Sequence, residues 1–202
     1  DSLSGVTSCP ADETLSSEGA AVVSTAQTIT DQAGNSGTSN VGTVKIDKTA
    51  PTLSAVATTP PNAAGWYNSD VTVNWSCNDV TSGVVSANVS QTLSSDGANQ
   101  SATGVCTDNA GNSSAPNTQS GINIDKTAPT ISAAATSNPN AAGWYNSDVT
   151  VHFTCADSLS GVTSCPADET LSSEGAAVAS TAQTITDQAG NSSTSNVGTV
   201  KI

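Results

Sequence analysis

The chain is 202 residues long and carries a formal net charge of −13, with four lysines and no arginine. That balance argues against nucleic acid, whose phosphates need clustered cations, and against an anionic membrane surface. No apolar run approaches the roughly 18–20 residues that span a bilayer, so no membrane insertion is expected in this segment.

Taken in chain order, the sequence repeats itself. Residues 1–46 match 157–202 with two changes, Val23 for Ala179 and Gly37 for Ser193. Asp-Lys-Thr-Ala-Pro-Thr opens both 47–124 and 125–202, a period of 78 (125 − 47), and both units then carry Asn-Ala-Ala-Gly-Trp-Tyr-Asn-Ser-Asp-Val-Thr-Val. The expected organisation is therefore a tandem array: 1–46 is the C-terminal part of a truncated repeat, followed by whole repeats 47–124 and 125–202. The fragment lacks what 125–156 supply to the last repeat. An exposed sheet edge is expected there, completed by upstream residues of a longer chain or by a neighbouring chain.

Within a repeat, Leu53 to Thr58 reads as an extended segment before Pro-Pro-Asn. Asp70 to Cys77 alternates, with Val71, Val73, Trp75 and Cys77 on one face; Val149, Val151, Phe153 and Cys155 match them. Period two with β-branched and aromatic residues on one side predicts a half-buried strand. Ser120 to Ile124 predicts another, with Ile122 and Ile124 facing one way. Ser82-Gly83, Ser95-Asp96-Gly97 and Asn109-Ala-Gly-Asn112 are turn signals. No segment shows a helical apolar stripe, and short strands separated by such turns predict a β-sandwich.

These motifs together identify a resemblance. Gly-Trp-Tyr-Asn-Ser-Asp-Val, then Thr-Asp-Asn-Ala-Gly-Asn (107–112) or Thr-Asp-Gln-Ala-Gly-Asn (186–191), then Asp-Lys-Thr-Ala-Pro-Thr resemble the bacterial immunoglobulin-like repeats. The related hyalin-type repeats share the Asp-x-Ala-Gly-Asn turn. The resemblance covers the whole chain. It implies an all-β fold, tandem immunoglobulin-like β-sandwich domains in a linear array. It also implies an extracellular or cell-surface, non-catalytic role as a stalk, fibre or sheath component. The implied partners are neighbouring repeats or identical chains in a filament.

Five cysteines serve a chain with only 3% aromatic residues. Small repeats with few aromatics need a staple. Cys77 ends the alternating strand and Cys106 precedes the Ala-Gly turn, positions that face each other in immunoglobulin folds, so Cys77–Cys106 is the implied pair. Cys155 matches Cys77, but Ile185 stands where Cys106 would, and Cys165 is the available partner. Cys9 matches Cys165, and its partner would lie upstream of Asp1, so it is expected to be unpaired by truncation. Buried free thiols are the plain alternative; metal ligation is disfavoured, because there is no Cys-x-x-Cys pair.

Two sets of residues carry candidate chemistry. Asp79 and Asp157 precede Ser-Gly turns, Asp108 and Asp187 sit in the Ala-Gly-Asn turns, and Asp47 and Asp125 mark the junctions. Calcium, a hard ion that takes carboxylate oxygens from loops, is one reading for Asp79, Asp108, Asp157 and Asp187. Turn hydrogen bonding by Asp is the other. No further cofactor is implied. Trp66-Tyr67 and Trp144-Tyr145 are the second set. Aromatic pairs stack on sugars, which gives the alternative function: an adhesin or carbohydrate-binding module for host or matrix glycans. The structural alternative is that they cover one end of a sandwich. No catalytic constellation is present; the lone histidine, His152, aligns with Asn74 on an outward strand face.

Overall fold

The computed structural model describes residues 1–40, 42–57, 59–195 and 198–202. Among these the chain is all-β, with no helix and no closed barrel. By internal contacts it divides into two compact units. One holds Asp1–Val56, Asn74–Ser90 and Thr103–Asn117; the other holds Ala57–Val73, Gln91–Ala102 and Thr118–Ile202.

The first unit contains β1 (Gly19–Val22), β2 (Gln27–Thr30), β3 (Ser36–Ser39) and β4 (Val44–Ile46). Strand β1 pairs with β4 and β2 with β3, both antiparallel. Strands β5 (Thr52–Ala57) and β6 (Val71–Asn78) then begin a three-stranded sheet completed by β7 (Asn88–Leu93). Thr58, expected to end β5, lies outside the described residues. Strand β6 buries alternate residues, and Trp75 is wholly covered. Its indole N–H donates to Asn117 Oδ1 at 3.0 Å, so the polar end of the ring is satisfied inside. Strands β8 (Gly97–Gly104) and β9 (Asn117–Ile124) pair with each other, and Ala102, Gly104, Cys106 and Asp108 are buried in strict alternation. Gly104 leaves room for Trp75: a Cβ built there would fall 2.8 Å from the ring's Cε2.

The second unit contains β10 (Thr130–Ala135), β11 (Val149–Ala156) and β12 (Glu169–Leu171), which form a three-stranded antiparallel sheet. The register runs from Thr130↔Ala156 to Ala135↔Val151, and Val149 pairs with Leu171. Val149, Val151, Phe153 and Leu171 form the core, with Ile131, Tyr145, Val178, Val200 and Ile202 packed against it. Short antiparallel strand pairs follow: β13 (Val178–Ala179) with β16 (Thr199–Val200), and β14 (Thr184–Thr186) with β15 (Ser192–Thr194). Ile185 is 3% exposed here, whereas Ile29, its match in residues 1–46, is 37% exposed. Residues 1–46 contain no counterpart of β10 and β11 to help cover that face.

Candidate functional site

Period two delivers the acidic residues to their place. Asp79 is the next inward position after Cys77 at the end of β6, and Asp108 is the next after Cys106. The structure bonds Cys77 to Cys106, with Cα atoms 5.9 Å apart, so the carboxylates two residues further on are brought together. Asp47 joins them from the junction. One ligand oxygen from each of Asp47, Asp79 and Asp108 lies within 4.8 Å of the others. Asp125, Asp157 and Asp187 form a second cluster on the same terms. There Asp157 follows Cys155 on β11 and Asp187 follows Ile185 on β14. Cys155 is bonded not across to the Asp187 strand but to Cys165, ten residues on. Cys9 is free and exposed.

Each carboxylate is held by its own turn. Asp79 Oδ1 accepts from the N–H groups of Thr81, Ser82 and Gly83 at 2.9–3.0 Å. Asp108 Oδ1 accepts from Ala110 and Asn112, and Oδ2 from the Asn112 side chain. Asp187 repeats this with Gly190 and Asn191. These turns need glycine, since Gly111 and Gly190 have φ of 96° and 99°. The junction residue completes the set, as Ser82 N–H donates to Asp47 Oδ2 and Ser160 N–H to Asp125 Oδ2. Asp47 and Asp125 were visible in the sequence as part of the same recurring acidic set as the other four. The signal was there: each triad member in the middle repeat recurs 78 or 79 positions on (125 − 47, 157 − 79, 187 − 108).

Burial works against the Asp108 carboxylate, but hydrogen bonds from the Asn112 side chain and the backbone of Asn112, Ala110 and Gly111 outweigh it and hold its pKa below 3.8. Asp31, in the matching turn of residues 1–46, is also lowered, first by the Asn35 side chain and then by its backbone N–H. A depressed folded-state pKa stabilises the turn above the unfolded value, and that contribution is lost as pH falls through the folded one. The Asp31 carboxyl should therefore titrate below 3.8 by carbon-13 NMR. Asn35→Ala should move the midpoint upward; an unmoved midpoint would remove Asn35 as the cause.

The two Asp-Lys-Thr-Ala-Pro-Thr segments are held by the same polar arrangement. Lys48 N–H and the Thr49 hydroxyl donate to the two oxygens of Glu18, and Lys126 N–H and the Thr127 hydroxyl donate to those of Asp96. From the other side, the Asn112 amide donates to Asp47 O at 3.2 Å and the Asn191 amide to Asp125 O at 2.8 Å. Lys126 Nζ lies 2.8 Å from Asp70 Oδ1, and that hydrogen bond raises its pKa above 10.5.

The aromatic pairs are set into the framework by their tyrosines. Tyr67 N–H donates to Asn123 O and its hydroxyl to Thr59 O; Tyr145 does the same with Lys201 O and Ser137 O. Trp66 is half-buried and lines a surface groove with Ala189 and Gly190, and the Asn62 amide donates to Gln188 O at 2.8 Å. Trp144 is 41% exposed, with Lys201 Nζ 5.9 Å from its ring centre. His152 Nδ1 lies 2.7 Å from Asp168 Oδ1 on an exposed strand face.

No family model and no curated protein matches the chain. Among solved structures, one described as structural insight into host cell surface retention of a 1.5-MDa bacterial ice-binding adhesin is similar at 16% identity. That likeness covers 86% of this chain and 72% of the other, with a TM-score of 0.34.

Proposed function

We propose that the chain is a segment of an extracellular or cell-surface structural array. In this reading 47–124 and 125–202 are tandem immunoglobulin-like β-sandwich repeats, 1–46 is the C-terminal part of another, and together they act as a non-catalytic stalk, fibre or sheath component. The partners are neighbouring repeats or identical chains. Two disulfides suit an oxidising compartment.

The observation that carries the reading is the environment of one alanine. Ala189 is 3% exposed, while Ala110, at the same point of the same turn, is exposed. Ala189 shares a groove with the Trp66 loop of the preceding repeat. The Trp-Tyr loop is thus a repeat-to-repeat contact surface, and the polar clamps on Glu18 and Asp96 hold the connecting peptide on either side of it. A junction held this way resists bending, which is what a load-bearing strut needs.

A second reading, a glycan-binding adhesin module, draws on the exposed Trp144 face. Native material imaged by electron microscopy and averaged along its length should show filaments with an axial repeat of two domains. Threads ending in a distinct globular head would move the function to that head. Glycan-array binding that is lost in a folded Trp144→Ala chain would favour the adhesin instead.

A further inference from the structure

The loop Asn-Ala-Ala-Gly-Trp-Tyr-Asn occurs twice, at 62–68 and at 140–146, and its backbone folds the same way both times. Asn62 Oδ1 accepts from the N–H groups of Ala64 and Trp66, and Asn140 Oδ1 from those of Ala142 and Trp144. The two loops differ in what lies on them. Trp66 is half-buried, and the Asn62 amide donates to Gln188 O at 2.8 Å. Ala189 and Gly190 line the same groove, and Ala189 is 3% exposed. Loop 62–68 and turn 187–191 belong to one compact unit, so this seating is part of its packing. Trp144, by contrast, is 41% exposed.

The other half of that contact is also present without its cover. Asp31-Gln-Ala-Gly-Asn35 repeats Asp187-Gln-Ala-Gly-Asn191 residue for residue. The backbone is the same as well. Asp31 N–H donates to Asn35 O at 2.9 Å and Asp187 N–H to Asn191 O at 3.0 Å, and Gly34 and Gly190 have φ of 90° and 99°. Gln32, Ala33 and Gly34 are all exposed. A turn that a Trp-Tyr loop covers at 187–191 thus stands open at 31–35, and a loop that covers such a turn at 62–68 stands open at 140–146. Both surfaces already hold the conformation of the seated pair, so joining them costs little ordering.

We infer that the 140–146 loop of one copy of this chain seats on the 31–35 turn of a second copy, with Trp144 covering Ala33 and the Asn140 amide donating to the Gln32 carbonyl oxygen. The turn from Asp108 to Asn112 is a poorer seat: Asn109 stands where the other two turns have glutamine, and its amide is committed to Ser82 O. The open loop departs from the seated one at Ser137 for Thr59 and Asn138 for Pro60, both in the groove wall. Lys201, 5.9 Å from the Trp144 ring centre, brings a cation to a partner segment with five carboxylates (Asp1, Asp12, Glu13, Glu18 and Asp31) and one lysine. The contact joins two different surfaces. Each joined pair therefore still offers one open loop and one open turn, and association continues head to tail. The inference rests on the reading of the Trp-Tyr loop as a repeat-to-repeat contact surface, and names the surfaces through which identical chains join.

The test is sedimentation and nitrogen-15 NMR of the full chain from about 10 μM to about 1 mM, the range in which so small an interface associates. Salt must be high enough to screen the repulsion between chains of net charge −13. With a dissociation constant near 1 mM, the weight-average mass should about double at the top of that range. Chemical shifts should move most at the Trp144 indole N–H and at the amides of Gln32, Ala33 and Gly34. Trp144→Ala and Ala33→Lys each change an exposed side chain and should each hold the chain monomeric. Mixed together, those two variants should stop at pairs, while Ala110→Lys should associate like the parent. No concentration dependence, undiminished association in Trp144→Ala or Ala33→Lys, or lost association in Ala110→Lys would each overturn the inference. So would Trp144 shifts that appear with an added oligosaccharide and not with more chain. The Trp66 indole in the same spectra separates this inference from the strut. If self-association fails while Trp66 is shielded from a soluble paramagnetic probe, only the inference falls; if Trp66 is as open as Trp144, both do.

Discussion

Replacing Cys77 and Cys106 together by alanine should destabilise the residues around Trp75 by roughly 3.6 kcal/mol, the loop-closure value for a bridge spanning 29 residues. The same change at Cys155 and Cys165, separated by 10 residues, should cost roughly 2.7 kcal/mol. The larger figure is a large fraction of what a repeat of this size has, because the total stability of small domains is about 5–15 kcal/mol. The bridge also does positional work. It holds β6 against the segment after β8, and the Asp79–Asp108 approach lies two residues beyond it. Loss of the bridge should therefore loosen the carboxylate cluster as well. The readout is urea unfolding followed by the fluorescence of Trp75 in a Trp66→Phe, Trp144→Phe background. Several cooperative elements make a whole-chain midpoint ambiguous, and a single buried indole avoids that. A midpoint that does not move would show that the core around Trp75 holds without the bridge.

The alternation in β6 and β11 was legible because a strand half-buried on one face must repeat every two residues, and Val71, Val73 and Trp75 lie inside as that pattern requires. The short strands β13, β14 and β15 were not legible, whereas β16 matches the end of the preceding repeat. Those three are two or three residues long, and of their residues only Val178 and Ile185 are large and apolar, so no period can be counted. At the candidate site, the turns at Asp79 and Asp108 could be read from Ser-Gly and Ala-Gly-Asn, since local chemistry sets them. Asp47 was legible as a member of the recurring acidic set, but the contact that brings it to Ser82 was not, because it spans 35 residues of chain. The position of Trp66 beside Ala189 and Gly190 was hidden for the same reason. Sugar stacking and packing against another segment demand the same aromatic pair, so the sequence alone does not tell them apart.

Gly104→Ala should destabilise the same core by about 1–3 kcal/mol, the usual cost of forcing a methyl into a filled interior. Glycine to alanine ordinarily stabilises by restricting the unfolded chain, by about 0.4–1 kcal/mol where the backbone permits, so a clear loss here would be informative. The cause is specific: the new Cβ meets the wholly buried Trp75 ring at 2.8 Å from Cε2. That ring is held by its neighbours and by the bond to Asn117, so it cannot swing away without giving up a buried hydrogen bond. Trp75→Ala removes the obstacle at a cost of about 3–5 kcal/mol for the emptied volume. Trp75→Phe offers a gentler route, because the last repeat already uses Phe153 in this place, with Gln183 rather than glycine four residues before its Asp-Gln-Ala-Gly-Asn turn. The Gly104→Ala, Trp75→Phe double variant should lose less than the sum of the two single losses. A coupling of 0.5 kcal/mol or more in a double-mutant cycle would mark direct contact between the sites. Strict additivity would mean that the ring and the glycine do not constrain each other, and Gly104 would then need another explanation.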